Sequence, residues 1–199
     1  MKKDFVYLAS ASPRRSDLLR QIGVPFQVRP AAIAEDALAG EGPEAYVTRL
    51  AAAKAETIWA SAVGDSRPVL AADTAVVLDG DLLGKPATEG EAMAMLERLS
   101  GRSHRVLTAV ALRYAAGLET RLSDSEVRFR ATTAEERLKY CRTGEPFDKA
   151  GGYGIQGHAA VFIEELKGSY SGVVGLPLYE TAALLARCGI GFWLTARAA

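Results

Sequence analysis

The stretch Phe5-Val6-Tyr7-Leu8-Ala9-Ser10-Ala11-Ser12-Pro13-Arg14-Arg15 reads as a β-strand passed through a short loop into a helix. Its apolar, partly aromatic first half suits a buried strand. Ser12 stands at the N-cap position, Pro13 at the first helical position, and Gly23 just past the expected helix end. A strand followed directly by a helix is a βα unit, the building block of α/β folds. The same stretch breaks a local rule. Arg14 and Arg15 fall in the first helical turn, where the positive end of the helix dipole favours carboxylates over cations. A bound anion resolves the conflict: orphan backbone N–H groups, the hydroxyls of Ser10 and Ser12 and two guanidiniums together make a phosphate cradle. A solvated basic helix end is the plain alternative.

Outward from this unit, Phe26–Val28 reads as a second strand, and a polar, alanine-rich loop leads to a helix from Pro43 to about Ser61. Val69–Leu78 is a strand that turns at Asp79-Gly80, so Leu82-Leu83 is expected to pair back on it. Thr88 to Glu91 has capping-box spacing and opens a helix with Met95, Leu96 and Leu99 inward and Gly101 as its stop. Arg105–Tyr114 and Glu119–Arg130 read as long strands around Ala116-Gly117, and the box Thr133 to Glu136 opens a helix ending before Gly144. After a glycine-rich loop, Val161–Leu166 and Gly172–Val174 are read as strands. Pro177 opens a last helix, and Phe192–Thr195 is expected to close the sheet. The fold expected is α/β, a central mixed sheet flanked by helices, in a single domain over residues 1–199.

Composition narrows the function. The 199 residues are 49% hydrophobic and 24% charged, which is globular and large enough for a core without disulfides. Lys+Arg 24 against Asp+Glu 24 gives a net charge of 0, which argues against a coat for nucleic acid polymers or anionic membranes. Any basic site is therefore local. Cys141 and Cys188 have no metal-ligand spacing and read as free thiols. Lys2 and Lys3 precede an apolar run too short for a signal peptide, and no stretch approaches the ~20 apolar residues of a membrane span. The cytoplasm is the expected compartment.

Several side chains stand out against their surroundings. Lys54 lies on the same helical stripe as Val47, Leu50 and Ile58, where it must snorkel or meet an anion. Asp73 interrupts an apolar strand; it has either a structural hydrogen-bond partner or a role in a cleft as metal ligand or general base. Lys85 in Gly84-Lys85-Pro86 is a cation in a turn. The segment Glu145 to Gly157 mixes glycines with acids, a lysine and a glutamine, as a loop does where backbone approaches a ligand. His104 reads as a hydrogen-bonded residue at a strand start, and Trp59 and Trp193 as packing. Local cations with a carboxylate in a neutral protein suggest a polyphosphate and a divalent metal.

The ordered set Leu8 to Arg15, Ala72-Asp73-Thr74, Gly84-Lys85-Pro86, Leu99-Ser100-Gly101 with His104, Asp148 to Gly157, and Gly175-Leu176-Pro177 resembles the Maf family of nucleotide pyrophosphatases. The resemblance covers nearly the whole chain. The loop Asp148 to Gly157 with Gly168-Ser169-Tyr170 is similar to the subgroup acting on dTTP and UTP rather than the one acting on 7-methyl-GTP.

The resemblance implies two lobes with a cleft between them, and hydrolysis of a nucleoside triphosphate between its α and β phosphates, assisted by Mg²⁺ or Mn²⁺. It implies house-cleaning of nucleotide pools and a homodimer. Asp73 matches the family's general base, and Arg14, Thr74 and Gln156 match its specificity positions. Ser10, Arg15, Lys54 and Lys85 match cleft positions suited to phosphate; Glu35 matches another, and with Asp73 it is the carboxylate available to the metal. Gln156 both donates and accepts, which suits the edge of uracil or thymine. Two other readings stand beside the enzyme: a nucleotide-binding regulator of septum formation without turnover, and a non-nucleotide phosphatase.

Overall fold

A computed structural model of the chain describes residues 5–62 and 64–193. Among them, seven strands form one mixed sheet: β1 (Val6–Leu8), β2 (Phe26–Val28), β3 (Val69–Leu78), β4 (Asp81–Leu83), β5 (Ser103–Tyr114), β6 (Gly117–Phe129) and β7 (Ile163–Lys167). The helices are α1 (Pro13–Gln21), α2 (Pro43–Ser61), α3 (Glu89–Leu99), α4 (Ala134–Cys141), α5 (Tyr170–Val174) and α6 (Leu178–Arg187). The strand order is β2-β1-β3-β5-β6-β7. β1 runs parallel to β2 and β3, with α1 and α2 supplying the long crossover connections that parallel neighbours need, whereas β3 to β7 pair antiparallel. This is the expected mixed α/β sheet.

Alternation along β3 separates its two faces. Val69, Ala71, Ala75 and Val77 join Val47, Ala51, Ala55 and Ile58 of α2 in one continuous core. On the other face there are two cores. One gathers Leu8, Leu19, Leu70, Leu112, Leu176 and Leu184 beneath α1 and α6; the second gathers Val76, Leu83, Leu96, Leu99, Val106 and Phe129 against α3. Thr74 and Thr108, opposite each other in the β3–β5 register, lie between them.

The outer edge of β3 is shared. β1 pairs with it through Leu70, and β4 pairs with it from Val76. Between them, the edge of residues 71–75 carries no strand partner among the described residues. Asp73 on one face and Thr74 on the other both reach this gap.

Three local expectations need correction. Gly172–Val174 is not a strand: it belongs to α5, because the Ser169 hydroxyl accepts from the Gly172 N–H and nucleates a helical turn. Phe192 and Trp193 are not in a strand either; the Trp193 N–H donates to the Ile22 carbonyl at 2.6 Å, and Leu194 and Thr195 lie outside the described residues. β7 starts at Ile163, since His158–Phe162 forms a 3₁₀ turn. The Thr88 and Thr133 caps form as expected. Among the described residues, no helix is long and apolar enough to cross a membrane, and Cys141 and Cys188 are free.

Candidate active site

The gap at the β3 edge opens into a cleft of about 560 Å³. Ser10, Arg14, Arg15, Glu35, Lys54, Asp73, Thr74, Lys85 and Gln156 all line it. The chain therefore brings together every residue proposed from the sequence for catalysis, specificity, phosphate or metal. Five cationic side chains (Arg14, Arg15, Lys54, Lys85, Lys149) face three anionic ones (Glu35, Asp73, Asp148), a local positive excess in a neutral protein.

Asp73 and Lys54 settle each other's burial. Lys54 Nζ lies 2.6 Å from Asp73 Oδ1 and 2.5 Å from Glu35 Oε1. The lysine does not snorkel, because two anions meet it inside. Burial pushes the Asp73 carboxyl above its usual range, further than Lys54 and Arg15 pull it down. At Glu35 partial burial acts the same way but is outweighed by Lys54, Lys85 and Arg15, so its carboxyl sits below the usual range. Glu35 lies on the segment between β2 and α2, which α2 holds down. The Tyr46 hydroxyl donates to the Glu35 carbonyl at 2.9 Å, and Arg49 Nη2 donates to the Asp36 carbonyl at 3.0 Å.

At the start of α1, Ser12 occupies the N-cap position but its hydroxyl caps nothing. Its backbone N–H donates instead to Ser10 Oγ at 3.2 Å. With no acidic residue in the first turn, the helix terminus is left for a ligand anion. Arg15 turns inward: Nε donates to the Gly175 carbonyl at 2.7 Å, Nη1 to Ser10 Oγ at 3.0 Å and Nη2 to Thr74 Oγ1 at 3.2 Å. Arg14 points along the cleft and pairs with Asp148 at 3.1 Å.

Gln156 sits on a loop shaped by Glu145. The Glu145 carboxylate accepts from the His158 N–H at 2.8 Å, lies 2.9 Å from His158 Nδ1, and accepts from the Tyr140 hydroxyl at 3.0 Å. Gly157 passes so close to this carboxylate that a Cβ there would overlap both oxygens. Gly151, at φ +72°, passes Val76 so closely that a Cβ there would come within 2.8 Å of its side chain. Gln156 itself is exposed and makes no hydrogen bond among the described residues, so its amide is free for a ligand.

The family model described as Maf-like protein matches residues 5–188. The chain belongs to the Maf family. Among the relatives of this Maf protein, a dTTP/UTP pyrophosphatase of Burkholderia orbicola is 52% identical over 198 residues, covering 94% of each chain. One of Methylobacillus flagellatus is 51% identical over 185 residues, covering 93% of each, and one of Burkholderia pseudomallei 50% identical over 199 residues, covering 94% of this chain and 95% of its own.

For a divalent metal, this Maf cleft offers the carboxylates of Asp73 and Glu35, hard oxygen donors that already converge on one cation. Among the described residues no group of three or more such side chains occurs, so an ion held by these two carboxylates would need water or ligand oxygens to complete its shell. That donor set fits Mg²⁺, which keeps water and phosphate ligands and takes one or two carboxylates.

Sequence reasoning missed three residues of the cleft's frame. Thr108 is fully buried, donates to the Gly172 carbonyl at 2.8 Å and lies 3.0 Å from Thr74 Oγ1. A hydroxyl interrupting the apolar alternation Val106, Val110, Leu112 was its visible signal. Glu145 was signalled by the glycines at 154 and 157, which leave room for something bulky. Tyr46 carried no signal, since a tyrosine on an amphipathic helix is ordinary. His104 is as expected: buried, with Nε2 2.7 Å from the Tyr153 hydroxyl.

Proposed function

We propose that this chain is a dTTP/UTP pyrophosphatase: it hydrolyses these nucleotides to the monophosphate and diphosphate and cleans the nucleotide pool. The observation that carries the reading is the placement of Asp73, paired with Lys54 at 2.6 Å, in one cleft with the cations and with an unpaired Gln156 amide. Relatives of about half identity over nearly the full length carry that name.

Phosphoryl transfer asks for positioning and charge neutralisation rather than covalent chemistry. The α1 terminus, the Ser10 hydroxyl, Arg14 and Lys85 bind the phosphates. Lys85 is exposed and without an ion-pair partner among the described residues, free to meet them. Asp73 orients the attacking water and takes its proton; the new bond joins water oxygen to phosphorus, the α–β bridging bond breaks, and diphosphate leaves with the electron pair. Lys54 holds Asp73 and Glu35 together at the reacting end. When bound by Asp73 and Glu35, Mg²⁺ or Mn²⁺ neutralises phosphate charge and lowers the pKa of water. Thr74 and Gln156 select the pyrimidine. The reading carries a homodimer in the cytoplasm with it, and neither nucleic acid polymer nor membrane as partner.

The test is product analysis with a panel of nucleoside triphosphates, with and without Mg²⁺ or Mn²⁺. Metal-dependent monophosphate and diphosphate from dTTP and UTP, with little from purine nucleotides, is expected. Orthophosphate would refute the bond assignment, and tight binding without turnover would favour the regulator.

A further inference from the structure

A hydroxyl offers one proton and two lone pairs, so its partners determine what it has left for a ligand. Thr108 Oγ1 lies 2.8 Å from the Gly172 carbonyl, which can only accept, and its proton is used there. Thr74 Oγ1, 3.0 Å from Thr108 Oγ1, must therefore be the donor of that pair. Arg15 Nη2 takes one Thr74 lone pair at 3.2 Å. One lone pair remains. Ser10 is the mirror case: the Ser12 N–H and Arg15 Nη1 occupy both of its lone pairs at 3.2 and 3.0 Å, and its proton remains. The guanidinium cannot turn to change this, since its Nε is tied to the Gly175 carbonyl at 2.7 Å.

We propose that Thr108 and Arg15 are positioning residues that give the cleft a fixed polarity, with Thr74 only able to accept from the nucleobase and Ser10 only able to donate to an anionic oxygen. This rests on the dTTP/UTP pyrophosphatase reading and deepens it. Uracil and thymine carry an N3–H, which Thr74 can accept; unprotonated N3 of cytosine would set two lone pairs against each other. Gln156 cannot make that distinction alone, because a free amide turns to present either end. Thr74 is held, so it decides.

The test compares kcat/KM for UTP and CTP in the wild type, Thr108→Val and Thr108→Ser, with circular dichroism to verify folding. The wild type is expected to prefer UTP. Thr108→Val frees the Thr74 proton to face the base, so the UTP:CTP ratio is expected to fall about tenfold, the size of one hydrogen bond's discrimination. Thr108→Ser is expected to keep the ratio. A purely structural role would lower both nucleotides in proportion, and an unchanged ratio in folded Thr108→Val overturns the proposal. Should that variant not fold, Thr74→Val decides by the same ratio: a UTP:CTP ratio that falls supports the proposal, and loss of both in equal proportion overturns it. Wild-type turnover that is equal for UTP and CTP also overturns the polarity assignment while leaving the pyrophosphatase reading intact. A wild type that cleaves neither removes both.

Discussion

Lys54 Nζ stands 2.6 Å from Asp73 Oδ1 although the two residues come from different elements, a helix and the strand it covers. The same ammonium also meets Glu35 at 2.5 Å. Three donors on one nitrogen serve two carboxylates and leave one N–H for a phosphate oxygen. The ammonium pulls the carboxylate at the reacting end towards its charged form, against the burial that raises its pKa.

Replacing Lys54 by Met should expose what the ammonium offsets. Asp73 and Lys54 are almost fully buried, and leaving a buried charge unpaired costs about 3–5 kcal/mol. Without Lys54 the already raised Asp73 carboxyl rises further. A carboxyl whose folded value exceeds its unfolded one costs stability increasingly as pH climbs from the unfolded value towards the folded one, so the loss should be larger at pH 8 than at pH 5. Denaturant midpoints at both pH values check this; an equal loss at each would contradict it.

Asp73→Asn should leave the fold intact, because an amide oxygen still accepts from Lys54. Turnover should drop about 100-fold or more, the usual contribution of a positioned base. In the wild type, the acid limb of kcat/KM should lie above the ~3.9 of a free Asp, since burial raises this carboxyl. A pH–rate profile and a melting curve on the same preparations suffice.

Gly157→Ala should act at a distance on base selection. The new Cβ would collide with the Glu145 carboxylate, which is held by His158 and Tyr140 and can move only by losing those bonds. Overpacking of this kind costs about 1–3 kcal/mol. Displacing the loop that carries Gln156 should raise KM for UTP and narrow the gap to purine nucleotides, with kcat less affected. The double variant Glu145→Ala/Gly157→Ala should be less damaged than the sum of its parts.

Stability should also depend on pH through His104. Burial lowers its pKa from 6.5 to about 4. The unfolded chain therefore takes up a proton first as pH falls, and stability should drop between pH 6.5 and 4 by up to about 3 kcal/mol. In His104→Gln, which retains a partner for the Tyr153 hydroxyl, that slope should flatten. Thermal melts across the interval measure it, and an unaltered slope would assign the dependence to other groups.

What could be read from the chain alone was whatever depends on near neighbours. Ser12-Pro13 and Gly23 bracket α1, Asp79-Gly80 turns β3 back into β4, and Thr88 and Thr133 start their helices because caps, turns and periodicity act over a few residues. The site was legible for a related reason: Asp73 in an apolar strand, Lys54 on an apolar stripe and arginines in a first turn each violate a local rule, in motifs ordered along the chain. Tertiary structure alone decided the rest. The gap at residues 71–75 exists because β1 and β4 claim different ends of one edge, a fact of pairing partners and not of propensity. The polarity of Thr74 is set by a helix arginine and a threonine on the neighbouring strand. A residue's type states which bonds it can make; only the groups brought to it from distant parts of the chain determine which are left for a substrate.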